Sequence, residues 1–106
     1  MNASLHALIY CRAARSSARA LQAQQERCEK KAADMGATET VTIVDRQSQG
    51  GLDRPAVQQM RSLLATGTID LVVVDSPERL SRRLADLRAL SQDVSRAGAR
   101  LVFVAS

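Results

Sequence analysis

The residues in this chain best suited to chemistry are four arginines that border apolar or proline-led segments. They are Arg12, Arg54, Arg79 and Arg82. The planar guanidinium fork matches a phosphate or another oxyanion better than a lysine ammonium does. Guanidinium groups fixed around a phosphoryl group stabilise the charge that its oxygens carry during transfer. A single arginine is more often a solvated surface charge, so this chemistry requires a fold that brings the arginines together.

Four short apolar runs predict the strands of a buried sheet. Each run is rich in Val, Ile or Leu and is four to seven residues long, which suits strands that are covered on both faces. The runs are residues 5–11, 41–44, 69–74 and 101–104.

The segments between these runs have the periodicity of amphipathic helices. The first runs from about residue 14 to residue 35, with Gly36 placed to end it. Pro55, favoured in a first helical turn, opens the second, which Gly67 ends, and Gly98 ends the third. The predicted buried faces are Leu21, Cys28, Ala32 and Met35 in the first helix, Val57, Met60 and Leu64 in the second, and Leu84, Leu87, Leu90 and Val94 in the third.

This alternation of strands and helices predicts an α/β fold in three layers. A mostly parallel four-stranded sheet would carry helices on both faces through right-handed crossovers, in a flavodoxin-like topology. In such open sheets ligands bind beyond the carboxyl ends of the strands. That edge receives residues 11–15, 45–54 and 75–83, which hold all four arginines, together with residues 105–106. The Gly50-Gly51 pair favours a mobile loop in the second of these segments.

Composition restricts the class of protein further. The 106 residues form one domain with an aliphatic core, because Tyr10 and Phe103 are the only aromatic residues. Fifteen Lys and Arg against eleven Asp and Glu give a net charge of +4, which is compatible with a nucleic-acid partner. The sequence contains neither a signal peptide nor an apolar run long enough to span a membrane, so we expect a cytoplasmic protein.

The two cysteines and the single histidine do not favour a metal site. Cys11, Cys28 and His6 belong to no cluster with metal-ligand spacing, so we predict neither a metal nor a cofactor. We expect the cysteines to be buried free thiols, and a disulfide between them stays open.

Several motifs, in order along the chain, resemble the N-terminal catalytic domain of the serine recombinases, the resolvase/invertase family. The family patterns are Tyr-x-Arg-x-Ser at residues 10–14, Leu-Glu-Ala-Gln at residues 21–24, Asp-x-x-Ser at residues 45–48, Leu-Asp-Arg-Pro at residues 52–55, and Asp-Arg-Leu-Ser-Arg at residues 78–82. This chain departs from these patterns at three positions, with Ala14 in place of serine, Gln22 in place of glutamate and Glu78 in place of aspartate. The likeness covers residues 7–104 with consistent spacing, and it implies a resolvase-like fold.

The resemblance implies DNA as the partner and strand transfer as the reaction. In that family the serine attacks a DNA phosphodiester, forms a phosphoserine bond to the 5′ end and frees a 3′ hydroxyl, without a cofactor. By this resemblance, Arg12, Arg79 and Arg82 would contact the scissile phosphate. Arg54 would bind phosphate as well and help to neutralise the transition state.

The resemblance also assigns supporting roles around that phosphate. Ser48 and Asp53 would support the site, and Glu78 would orient the arginines and assist proton transfer. Tyr10 would pack or hydrogen-bond beside it. Asp45 would hold its loop rather than take part in the chemistry.

The nucleophile position of the family holds Ala14 in this chain. A methyl group cannot attack phosphorus, so residue 14 cannot cleave a strand. Arg15 and Ala18 also depart from the family's run, which favours a natural degenerate copy over a single engineered change. Ser17 lies about 300° round and about 4.5 Å along a helix from residue 14, so it is the alternative nucleophile. A cap at the start of the helix is its plainer role.

Two more departures concern the third loop and the end of the chain. Residues 75–77, Asp-Ser-Pro, replace the family's aromatic-Lys-Leu run. Family members also continue past the position of Ser106 with a dimerising helix and a DNA-binding domain. We therefore expect residues 1–106 to be a shortened catalytic domain that associates with itself as a homo-oligomer, through the surface that the missing helices would cover.

Three functions remain open on the sequence. The first is a recombinase domain that cleaves DNA through another serine. The second is a non-catalytic module that pairs with DNA or with a recombinase. The third is an unrelated flavodoxin-like signalling or nucleotide-binding domain, which is weakened because no glycine-rich turn follows the first strand.

Overall fold

Parallel strands alternate with helices through the part of the chain that the computed structural model describes, residues 4–13, 18–47 and 50–105. The elements in order are β1 (His6–Arg12), α1 (Ala18–Asp34), β2 (Glu39–Asp45), α2 (Pro55–Ala65), β3 (Leu71–Val74), α3 (Pro77–Leu80), α4 (Leu84–Arg96) and β4 (Arg100–Phe103). The strands pair in parallel in the order β2-β1-β3-β4. The predicted α/β fold with a parallel four-stranded sheet is confirmed.

The sheet separates two hydrophobic cores, and β1 contributes to both. Successive side chains of a strand point to opposite faces. Leu8 and Tyr10 therefore join the core beneath α2 and α4, whereas Ala7, Ile9 and Cys11 join the core beneath α1. Because β1 lies between β2 and β3, all five of these side chains are buried, at 0–1% exposure.

Helix boundaries follow from local backbone chemistry. Pro55 occupies the first turn of α2, where its missing N–H has no helical partner to lose. Gly36 follows α1 with φ at 94° and Gly98 follows α4 with φ at 77°, in the left-handed region that glycine enters without steric cost. These stops agree with the predicted ones.

Cys11 and Cys28 are buried free thiols packed between β1 and α1, as the sequence predicted. Within the described ranges, no group of three or more His, Cys, Asp and Glu side chains is placed to hold a metal ion. Across those same ranges, no helix has both the length and the apolar character needed to cross a bilayer.

Several elements differ from the sequence prediction in their bounds or in their presence. Strand β2 begins at Glu39, before the apolar run, because it is an edge strand whose first three residues are exposed and can be polar. Helix α3 was expected to be loop, since a helix of four residues is too short to show periodicity. The first helix was expected from about residue 14. The described helix begins at Ala18, and residues 14–17 lie outside the described part of the chain.

The prediction that Leu84 is buried was wrong, because its side chain is 63% exposed. Each step of three residues turns a helix about 60° short of a full circle. Two such steps separate Leu84 from Leu90, which is fully buried. The predicted apolar face of α4 therefore lies on the core at Leu90 but has rotated into solvent at Leu84, its first residue.

These two leucines of α4 provide a matched stability test. We expect Leu90→Ala to lower the free energy of unfolding by about 2–5 kcal/mol, because it leaves a cavity in the core. Leu84→Ala removes the same atoms from an exposed position and should change stability by less than about 0.5 kcal/mol. Urea denaturation followed by circular dichroism measures both, and equal losses would contradict the burial of Leu90.

Candidate functional site

The polar residues gather at the carboxyl edge of the sheet, as the fold requires. There, three of the four predicted arginines are linked through backbone carbonyls. Arg12 and Arg54 both donate to the carbonyl of Leu80, over 3.5 Å and 2.7 Å. Arg79 donates in turn to the carbonyl of Arg12 over 3.2 Å. The structure therefore brings Arg12, Arg54 and Arg79 together.

Arg54 is the buried centre of this edge, with a side chain only 1% exposed. A guanidinium carries five N–H donors. Here the acceptors are the Asp45 carboxylate (2.9 Å), the carbonyls of Gly50 (2.9 Å), Gly51 (3.2 Å) and Leu80 (2.7 Å), and the Tyr10 hydroxyl (3.2 Å). Every donor is therefore engaged within the protein, which leaves Arg54 no N–H for an external ligand in this arrangement.

Asp45, Tyr10 and Arg54 form a buried triad whose ionisation states support one another. The Tyr10 hydroxyl donates to the Asp45 carboxylate, and the Gln47 amide donates to the same carboxylate over 3.0 Å. Burial opposes the ionisation of Asp45, but hydrogen bonds from Tyr10, Gln47 and Arg54 outweigh it and lower its pKa. Burial likewise opposes the charge on Arg54, yet its bonds to Tyr10 and Asp45 raise its pKa. Asp45 thus holds the loop after β2, the role that the sequence suggested.

Arg12 and Arg79 are only partly buried and use fewer of their donors. Arg12 donates through Nε to the carbonyl of Gln47 over 2.9 Å and through Nη1 to Leu80. Among the described residues, the Arg79 side chain makes one hydrogen bond, to the Arg12 carbonyl. Its Nε is buried and has no hydrogen-bond partner in the described structure. A buried donor without an acceptor is rare and destabilising, so an acceptor oxygen brought to this atom would stabilise it.

The other predicted residues are either exposed or outside the described part of the chain. Arg82 is exposed just after α3 and is bonded to no described residue. Asp53 is exposed in the turn before Arg54. Glu78 is exposed in the first turn of α3, where its own backbone amide, and then the Ser76 hydroxyl, lower its pKa. Ala14, Ser17 and Ser48 lie outside the described residues.

Sequence reasoning missed three side chains that shape this edge. Gln24 is 1% exposed and hydrogen-bonds the backbone of Arg12. Arg27 forms a two-pronged ion pair with Asp75, with both N···O distances at 2.8 Å. A polar Gln24 on the otherwise apolar stripe of Leu21 and Cys28 was a visible signal in the sequence. The Arg27–Asp75 pair joins residues 48 positions apart and left no such signal.

The arrangement presents guanidinium donors of the kind that suit an oxyanion, and the described residues show no activated nucleophile bonded to Arg12 or Arg79. The Arg12 and Arg79 guanidiniums are fixed by backbone contacts, as charge stabilisation during phosphoryl chemistry requires. Covalent catalysis would need a hydroxyl or thiol activated beside them. Position 14, where the sequence motif expects a serine, holds alanine.

Removing the buried guanidinium should destabilise the fold strongly. We expect Arg54→Met to lower the free energy of unfolding by about 3–5 kcal/mol, because Asp45 is left as a buried charge without its partner. Arg61→Met breaks a partly exposed ion pair with Asp93 and should cost only about 0–1 kcal/mol. Chemical denaturation of both variants measures the difference, and similar losses would show that the triad is not held as described.

Tyr10 provides a direct test of the triad, because it is the only tyrosine in the chain. Burial is the first cause that raises its pKa from 10.0 to about 12 in the folded protein. Between these values the folded chain binds more protons than the unfolded chain, so stability should fall as pH rises from about 10 to about 12. Near-ultraviolet absorbance of tyrosinate should titrate near 12 in native protein and near 10 in urea. A native midpoint near 10 would contradict this burial.

Comparison with known proteins assigns a family to this fold and edge. A protein-family model described as the resolvase N-terminal domain matches residues 7–106. Among curated protein sequences, none matched this chain. Among solved structures, the N-terminal catalytic domain of TP901-1 integrase is 26% identical, with a TM-score of 0.80, over 93% of this chain and 77% of that one.

Two other solved structures share the fold at lower identity. The C-terminal catalytic domain of ISC1926 TnpA, an IS607-like serine recombinase, is 21% identical, with a TM-score of 0.83, over 96% of this chain and 71% of that one. A resolvase family site-specific recombinase from Streptococcus pneumoniae is 19% identical, with a TM-score of 0.78, over 95% and 72%. Because the family model spans residues 7–106, this chain belongs to the resolvase family of serine recombinases and corresponds to their catalytic domain.

Proposed function

We propose that this domain binds the phosphodiester backbone of DNA without cutting it. The observation that carries the proposal is the Nε of Arg79, a buried donor without a partner among the described residues, on a guanidinium that is held by the backbone carbonyl of Arg12. A phosphate oxygen would supply the missing acceptor in a charge-assisted hydrogen bond. The family supports DNA as the source of that phosphate, because its relatives are site-specific recombinases.

Three of the four arginines would contact the DNA phosphate, and the fourth would hold the surrounding protein in place. Arg12 and Arg79 approach the phosphate from β1 and α3, and exposed Arg82 reaches it from the segment that follows α3. Arg54 supports these contacts instead of making one, because its five N–H groups already have protein acceptors. This role differs from the phosphate contact that the sequence motif suggested for Arg54.

The remaining motif residues support the same site. Ser48 and Asp53 belong to the loop that the Arg54 side chain holds through Gly50 and Gly51. Glu78 stabilises the first turn of α3 through its own amide, and α3 carries Arg79. Tyr10 acts through its hydrogen bonds to Asp45 and Arg54.

The proposed function does not include DNA strand cleavage, because residue 14 is alanine. The family reaction begins with a serine oxygen at this position, and alanine has neither the oxygen nor a proton to give up. Ser17, three residues further along the chain, is the alternative nucleophile. A nucleophile one turn away would have to reproduce the serine's placement to within about 1 Å to retain much activity.

DNA titrations at several salt concentrations test the binding. We expect salt-dependent binding to unrelated duplexes, and Arg12→Ala, Arg79→Ala and Arg82→Ala should each weaken it and lower the salt slope by about 1. Arg100→Ala is the matched control, because it removes one exposed charge at the opposite edge of the sheet, where β4 begins. Equal effects of Arg100→Ala and Arg79→Ala would contradict the proposed phosphate site. Binding that does not depend on salt concentration would contradict recognition of the phosphodiester backbone.

The same proposal is tested for chemistry with supercoiled DNA. After denaturing electrophoresis, we expect no covalent protein–DNA adduct and no nicked product from the unmodified chain. An adduct that disappears in Ser17→Ala would overturn the non-cleaving assignment and identify Ser17 as the nucleophile.

A further inference from the structure

The amide of Gln24 is the least expected polar group in the molecule. It lies on the buried face of α1 with 1% exposure, among the residues of an apolar core. Its Oε1 accepts from the Arg12 backbone N–H over 3.1 Å, and its Nε2 donates to the Arg12 carbonyl over 2.9 Å. One side chain therefore satisfies both backbone groups of the first arginine in the site.

These two hydrogen bonds take the place of a missing strand. In a parallel sheet, the N–H and C=O of one residue point to the same neighbouring strand. Ala13 donates to the Asp45 carbonyl on the β2 side, so the backbone groups of Arg12, one residue earlier, face the β3 side. There β3 has already ended at Val74, and the chain has turned away into α3. Gln24 supplies the hydrogen-bond donor and acceptor that the backbone of a longer β3 would have offered to Arg12.

The same helix also holds the segment that leads to Arg79. Arg27 lies one turn after Gln24 and makes the paired 2.8 Å contacts with Asp75, the first residue after β3. The hydrogen bond from Arg27 is the main cause that lowers the pKa of Asp75. The Asp75 side chain is 11% exposed and the Arg27 side chain 50%, so solvent screens this pair from the arginine side only.

We propose that Gln24 and Arg27 are positioning residues, through which α1 sets the relative placement of Arg12 and Arg79 for phosphate binding. The proposal rests on the proposed function for its ligand and on the α1 contacts for its mechanism. An apolar side chain at position 24 would avoid the desolvation of an amide. The position instead holds a group that orders the backbone of Arg12, to whose carbonyl Arg79 also donates.

Gln24→Met tests the first contact, because it keeps the length of the side chain and removes both hydrogen bonds. We expect hydrogen exchange of the Arg12 amide to accelerate at least about tenfold. We also expect DNA affinity and its salt slope to fall under conditions where the variant remains fully folded. Gln22→Met is the control on the same helix, since Gln22 is exposed and bonds only to Glu26.

Arg27→Met and Asp75→Asn test the second contact from its two sides. Each should weaken DNA binding, and the double variant should bind no more weakly than the worse single variant, because both remove one interaction. Lys30→Met removes an equal charge from an exposed position on α1 and should have a smaller effect. Additive losses, or losses equal to that of Lys30→Met, would overturn a positioning role for Arg27.

The exchange and binding measurements separate the two proposals. If the parent chain shows no salt-dependent DNA binding while the Arg12 amide still depends on Gln24, the proposed function fails and the positioning contact stands. If DNA binds but Gln24→Met leaves both the amide exchange and the salt slope unchanged, the positioning role fails. A loss of affinity explained entirely by unfolding of the variant would also overturn it.

Discussion

The buried guanidinium of Arg54 is the interaction on which the carboxyl edge of this sheet depends. A charge taken out of water is stable only when it is neutralised and all its donors find acceptors. Asp45 neutralises Arg54, and the Tyr10 hydroxyl and three backbone carbonyls complete the set. These partners come from β1, β2, the loop before α2, and α3. Because the guanidinium fork is rigid and planar, none of the four segments can move far without breaking a bond to a buried charge.

The Arg79 guanidinium, at the same edge, differs from that of Arg54 in how many of its hydrogen-bond donors have acceptors. Within the described residues, the Arg79 side chain has a single hydrogen bond and a buried Nε without a partner, whereas every donor of the Arg54 guanidinium is engaged. The carbonyl of Leu80 accepts from both Arg54 and Arg12. The hydrogen bonds of the fully engaged Arg54 and those of the partly buried Arg12 therefore share one acceptor atom. Donors held rigidly before a ligand arrives need little reorganisation when it binds, which is how a fixed site stabilises an anion.

Much of the fold could be predicted from sequence, because buried parallel strands must be apolar on both faces. The fully buried runs in β1 and β3 show this directly. The rule weakens wherever burial is partial. Edge strand β2 exposes Val41 and Val44 and begins with polar residues, so its first half resembled a loop. Helix α3 is a single turn without a period, and Leu84 satisfied the apolar spacing yet faces solvent.

The candidate site was only partly predictable, for a different reason. Its arginines could be located because strand ends meet at one edge, but the partners of each arginine lie far away in the chain. Arg54 meets the Leu80 carbonyl across 26 residues, and Arg79 meets the Arg12 carbonyl across 67. Gln24 was visible in the sequence as the last residue of a motif that resembles Leu-Glu-Ala-Gln and as a polar residue on an apolar stripe. Its use as a substitute for a strand depends on β3 ending two register positions before the residue that would align with Arg12, which no local pattern reveals.

The sequence by itself determined which chemistry residue 14 can perform, because a methyl group lacks a nucleophilic oxygen in any surroundings. It also determined the order of the strands and helices, since apolar periodicity is a local property. Only the tertiary structure decided which arginine has every guanidinium donor engaged and which keeps a buried donor without a partner among the described residues. That distinction depends on burial and on hydrogen-bond acceptors, and both are supplied by segments distant in the chain that meet only after folding.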